Sequence, residues 1–250
     1  MGKLLLESPV YTLEAALLAN EYGVDRIELC ADIGEGGTTP GAGMLNYLKS
    51  RIQIPVMVMV RPRGGDFVYT PEEIEVMRHE IRLLKSTGAD GFVFGVLDEN
   101  GKVNQEACKI LLKEADPLPC TFHRAFDASD GLEESLYKII DCGFCRLLTS
   151  GGKNTVDQGL AMIKKLMVWA ADQIIIMPGG GTSHLHLREL HATGHLKEVH
   201  ASCKTYRRSK SVYFNPELDL SAVKGEGKNK IMTIDRAKVW DFRREIDRLG

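Results

Sequence analysis

Glu7, Glu28 and His123 are the residues of this chain whose types suit proton transfer. Carboxylates and imidazoles do that work near neutral pH once their surroundings tune them. Each stands at or near the end of a short apolar run, and so do Cys30, Arg61, Arg63, Arg124, Ser150 and His200. The arginines and His200 are the groups that would hold an anion. Ser150-Gly151-Gly152 and Gly179-Gly180-Gly181 add unhindered backbone N–H groups, of the kind that cradle phosphate or carboxylate before a helix. Glu28 and Cys30 are two apart in a strand-like run, so they face the same way. Two plainer alternatives stand beside this chemistry. The charged groups also suit a structural ion-pair network, and the glycines also suit tight turns that need positive φ.

Other groupings carry less. Cys142-x-x-Cys145 spans a helix end and a strand start, on the side away from these groups, with no second cysteine pair nearby to complete a zinc site. His184, His186, His191 and His195 read as a polar helix face. Lys153 and Lys204 lie too far along the chain to serve as strand-end Schiff-base lysines, which argues against a covalent aldolase.

These residues need a scaffold that brings strand ends together. Apolar runs at 3–7, 24–30, 56–60, 91–96, 119–123, 145–149, 173–177 and 197–201 read as buried parallel strands. Helical periodicity separates them. Thr70 as N-cap, Pro71 at the first position and Glu73 closing a capping box start one helix, which Gly88 ends. Gly23-Val24-Asp25 and Gly88-Ala89-Asp90 are copies of one helix-to-strand junction. Eight such units in 250 residues predict a single-domain (β/α)8 barrel, whose strand C-termini share one rim. No Gly-x-Gly-x-x-Gly follows the first strand, so no nucleotide cofactor is expected. The stretch 204–230 lacks periodicity and predicts an irregular loop or arm before a last helix at about 233–249.

Composition narrows the setting. Net charge is -2 and 44% of residues are apolar, which suits one core and disfavours nucleic-acid or membrane-surface binding. Met1–Leu6 is too short for a signal or spanning segment, and six scattered cysteines suit a reducing cytoplasm.

The segments Asp25–Cys30, Glu35–Pro40, Arg61–Asp66, His123–Asp127 and Met177–Gly181 together resemble the CutC family. The resemblance runs from about Glu7 to His200. It implies a cytoplasmic (β/α)8 barrel named for copper homeostasis, self-association into a homo-oligomer, and Cu(I) held by cysteines, one of which matches Cys30. Members with a two-cysteine site carry a thiol just after the first strand's glutamate. Here that position falls at Pro9, which has no ligand atom. Cys203, after strand eight, is the candidate replacement, because strands one and eight adjoin in a closed barrel. Two expectations follow: a Cu(I) protein using Cys30 and Cys203, or an enzyme acting on a small anionic metabolite, for instance a phosphorylated sugar.

Overall fold

The computed structural model describes residues 4–215, 217–218 and 229–250. Eight parallel strands alternate with helices. They are β1 (Leu5–Val10), β2 (Arg26–Leu29), β3 (Val56–Met59), β4 (Gly91–Phe94), β5 (Cys120–Phe122), β6 (Arg146–Thr149), β7 (Ile175–Pro178) and β8 (Glu198–His200). The hydrogen-bonded order runs β7-β6-β5-β4-β3-β2-β1-β8, and β7 lies against β8, which brings the sheet round into a nearly closed barrel. The helices α1 (Leu13–Tyr22), α2 (Ala42–Lys49), α3 (Pro71–Ser86), α4 (Gln105–Ala115), α5 (Leu132–Cys142), α6 (Val156–Ala170), α7 (Leu187–His191) and α8 (Arg236–Leu249) complete the units. The (β/α)8 expectation holds.

Strand alternation sets which residues meet. Val56 and Val58 on β3, and Val60 just after it, join the large core beneath the helices, with Leu6, Ile27, Leu29, Phe92, Phe94 and Phe122. Met57 and Met59 fall on the opposite face and pack with Cys30 and Val93. That inner space is tight. A Cβ on Gly91 would lie 2.4 Å from Met57 Cε and 2.5 Å from the Pro119 carbonyl. Helix starts follow the sequence grammar, since Thr70 and Glu73 form the expected capping box on α3. Gly88, at φ 101°, turns the chain into β4.

One stretch departs from expectation. Lys204–Arg208 is not irregular. It forms β9 and pairs antiparallel with β10 (Lys230–Ile234), so α8 starts at Arg236 and not near Thr233. The ribbon is half exposed, which is why its sequence reads as polar and unpatterned. Thr12 Oγ1 donates to the Met232 carbonyl at 3.1 Å and Arg207 Nε donates to Glu14 at 2.7 Å, tying the ribbon to α1. The rest of the expected loop lies partly outside the described residues. Among those described, no helix is long and apolar enough to cross a membrane.

Candidate functional site at the barrel mouth

The barrel interior holds a chain of buried charges. Parallel register sets Glu7 opposite both Arg26 on β2 and His200 on β8. Arg26 Nε donates to Glu7 Oε2 at 2.5 Å, and its Nη2 donates to Glu198. Arg146 Nε closes the lower end, donating to Glu198 Oε2 at 2.8 Å. Toward the mouth, Glu7 Oε1 lies 2.8 Å from His200 Nδ1, and His200 Nε2 lies 3.9 Å from Glu28 Oε2. Cys30 Sγ donates to that same Glu28 oxygen at 3.4 Å.

These contacts drive the two carboxyls apart. Burial alone would raise Glu7, but the Arg26 charge and the His200 and Arg26 hydrogen bonds outweigh it and hold the group at about 2. Glu28 goes the other way, raised by burial and by the Glu7 charge. His200 is raised, because Glu28 and Glu7 overcome its burial. Burial and the Glu28 charge push the Cys30 thiol far up, so it is held as a thiol. Arg26, Arg146 and Glu198 escaped the sequence reading. The visible signal was their period-2 spacing from Glu28, Leu148 and His200 along their own strands.

Above this network opens a cavity of about 700 Å³. Glu28, Arg61 and His123 line it, each at most 5% exposed. Each carries a buried atom without a hydrogen-bond partner: Glu28 Oε1, Arg61 Nε and His123 Nε2. Most of the Arg61 guanidinium is committed. Its Nη1 donates to the Gly37 carbonyl at 3.1 Å and its Nη2 to the Gly65 carbonyl at 2.9 Å, and the guanidinium lies over Phe67. His123 does not end β5 as expected. It begins the 3-10 turn Arg124–Ala128, with Nδ1 accepting the Ala125 N–H at 3.2 Å. Burial and the Arg61 charge lower its proton affinity to about 3.

Other expected anion groups are spoken for. Arg63 Nε donates to Glu73 at 2.5 Å and its Nη1 to Asp66 at 3.0 Å, so it secures the loop before α3 and stays out of the cavity. The glycine loop after β6 already holds an anion, the chain's own Asp127. That carboxylate accepts from Ser150 N at 3.0 Å, Gly152 N at 2.9 Å, Thr149 Oγ1 at 2.6 Å and Ser150 Oγ at 2.9 Å. Gly151 N donates to Thr149 Oγ1 at 2.8 Å, and Arg124 Nε donates to Asp127 at 2.8 Å. Gly179 N donates to the Thr149 carbonyl at 2.9 Å, and the Gly180 carbonyl accepts Val156 N at the start of α6. Gly180 and Gly181 line the cavity, while Gly179 gives room to His200, which a Cβ would approach to 3.2 Å. The expectation of open N–H cradles at Ser150–Gly152 and Gly179 is thereby corrected.

Metal chemistry divides along donor type. Glu7, Glu28 and His200 bring oxygen and nitrogen atoms within 4.8 Å of one another, but Arg26 already neutralises Glu7. That set does not suit Cu(I), which prefers sulfur. Cys203 does not reach Cys30 either. It packs with the outer core, beside Lys238 and Phe242, whereas Cys30 packs inside with Met57 and Met59.

Comparison with known proteins is consistent along the length of the chain. The CutC family pattern matches residues 4–205. The copper homeostasis protein cutC homolog of Homo sapiens is 42% identical over 235 residues, covering 94% of this chain and 86% of that protein. A family protein CutC of Salmonella paratyphi B is 42% identical over 218 residues, covering 87% of each. A CutC structure from Streptococcus agalactiae superposes with a TM-score of 0.74 at 31% identity, covering 80% of this chain and 98% of that one. An aldolase barrel at 14% identity and a TM-score of 0.59 shares the fold alone. The chain therefore belongs to the CutC family.

Proposed function

We propose that this protein shares the copper homeostasis role for which its relatives are named, and that its barrel mouth is an enzyme site for a small anionic metabolite. One observation carries the site reading. Glu28 Oε1, Arg61 Nε and His123 Nε2 are buried and unpartnered, and all three belong to residues that line one cavity. Native interiors rarely leave polar atoms unpaired, so three around one space suit a ligand that completes them. Charge supports the ligand's sign. Arg61, Arg124, Lys153 and Lys204 outnumber Glu28, Glu35 and Asp127 around the cavity. The Glu7–His200–Glu28 relay supplies groups of opposed proton affinity for acid–base work. All six cysteines are free, in keeping with a cytoplasmic setting. The test is a thermal-shift screen of small carboxylates and phosphate esters, repeated on Glu28→Gln and His123→Ala. A stabilising ligand whose effect vanishes in both variants supports the site. No stabilisation by any compound, or stabilisation unchanged in both variants, refutes it.

A second reading has its own observation. Cys30 packs with Met57 and Met59, and one thiol with two thioethers is a soft set suited to Cu(I) cargo. Titration with Cu(I) against a competing chelator separates the readings. Loss of binding in Cys30→Ser and weakening in Met59→Leu would support copper at this cluster, with Cys203→Ser unchanged. Binding indifferent to Cys30→Ser would exclude it.

A further inference from the structure

His123 is built to donate a hydrogen bond, not to exchange a proton. Its Nδ1 accepts the Ala125 N–H, so the neutral ring carries its single proton on Nε2. That Nε2–H is buried and unpartnered, in a residue that lines the cavity. The ring cannot swing away. Phe67 meets it edge-on at 4.9 Å, and Gly95 lies so close that a Cβ there would sit 2.8 Å from Nδ1. Arg61 brings a second fixed donor to the same wall. Its Nη1 is held on backbone carbonyls and its Nη2 on the Gly65 carbonyl, while Nε has no partner. The charge of Arg61, together with burial, keeps the imidazole neutral through the physiological range.

We propose that His123 Nε2–H and Arg61 Nε–H form a donor pair for a substrate carbonyl oxygen, so that the ligands are small carbonyl compounds reacting through an enolate. Fixed donors aimed at the place where negative charge develops stabilise it with little reorganisation, and a neutral imidazole can polarise a carbonyl in this way. The step balances without a co-reactant. A proton leaves the carbon beside the carbonyl for Glu28 Oε1, and its bonding pair becomes the carbon–carbon double bond. The carbonyl π pair moves onto oxygen, where the two donors hold it. Where the deprotonated carbon carries a hydroxyl, Glu28 returns the proton to the former carbonyl carbon while the hydroxyl proton passes to the former carbonyl oxygen, which completes an isomerisation of a 2-hydroxy carbonyl compound. The inference rests on the metabolite-site reading above and narrows it to one substrate class.

The experiment is ¹⁵N NMR of the full chain labelled at histidine, with glycolohydroxamate as the enolate mimic and glycolate as the plain anion. His123 is expected as the neutral Nε2–H tautomer at neutral pH, with its resonance moved by the hydroxamate. Hydroxamate affinity should exceed that for glycolate and fall about tenfold or more in His123→Leu, the cost of losing a hydrogen bond to a charged group. His123→Gln, which keeps an N–H donor, should recover part of it. An Nδ1–H tautomer or an imidazolium at neutral pH overturns the proposal, and that measurement needs no variant to fold. Hydroxamate binding equal in wild type and His123→Leu also overturns it. If simple anions bind the cavity while the hydroxamate ignores His123, this proposal fails and the metabolite site stands. If neither kind binds, both fail.

Discussion

Replacing Arg26 with Met tests whether the buried charge network is what holds the barrel interior together. Arg26 lies between Glu7 and Glu198 and is itself 3% exposed. Glu198 keeps Arg146, but Glu7 is left with His200 alone. Removing one partner of a buried ion pair costs about 3–5 kcal/mol, because the other charge stays desolvated. Against an ordinary stability of about 5–15 kcal/mol that is a large fraction. The pH dependence carries the finer test. In the wild type, Glu7 is held at about 2, below its ordinary value, so its contribution is complete above the unfolded value. It is lost as pH falls toward 2, and at one pKa unit per ~1.4 kcal/mol it is on the order of 3 kcal/mol. Without Arg26, burial raises Glu7 instead. The variant then folds with Glu7 protonated, and its penalty relative to wild type shrinks on acidification. Urea unfolding at pH 7 and at pH 4 reads both quantities through the midpoint at constant m. A penalty under about 1 kcal/mol at pH 7, or one of equal size at both pH values, would refute the account.

Three further outcomes follow from particular contacts. Asp127→Ala should destabilise the protein by about 2–4 kcal/mol, since the loop after β6 loses its internal anion. Millimolar phosphate should restore part of the melting temperature in that variant and raise that of the wild type by less. Gly91→Ala should cost about 1–3 kcal/mol by crowding Met57 and the Pro119 carbonyl, measured by denaturant unfolding. Thr70→Ala should cost about 1 kcal/mol by removing the α3 cap, with binding at the cavity unchanged.

The barrel was legible in sequence because its determinants are local. Apolar runs such as Val56–Val60, the Thr70–Glu73 capping box and the repeated glycine before an inward strand each depend on residues a few positions apart. So did the period-2 rule that turned Glu28 and Cys30 inward. The ribbon at 204–208 was not legible, because a half-exposed two-stranded element shows little hydrophobic pattern, and its partner lies beyond a long polar stretch.

Which charge answers which was decided only by the tertiary structure. Glu7 and His200 are 193 positions apart and meet because β8 closes on β1. The loop Ser150–Gly152 looked open to an external anion, yet it is filled by Asp127, which reaches it from the turn after β5. His123 looked like a proton carrier by type. Burial, with the nearby Arg61 charge, keeps it neutral, and the Ala125 N–H leaves its proton on Nε2. Residue type and spacing determined the fold and the rim on which the chemistry sits, because short-range sterics and burial act along the chain. Protonation, pairing and vacancy depend on what long-range closure brings within a few ångströms, where a charge is desolvated and a single neighbour decides its state.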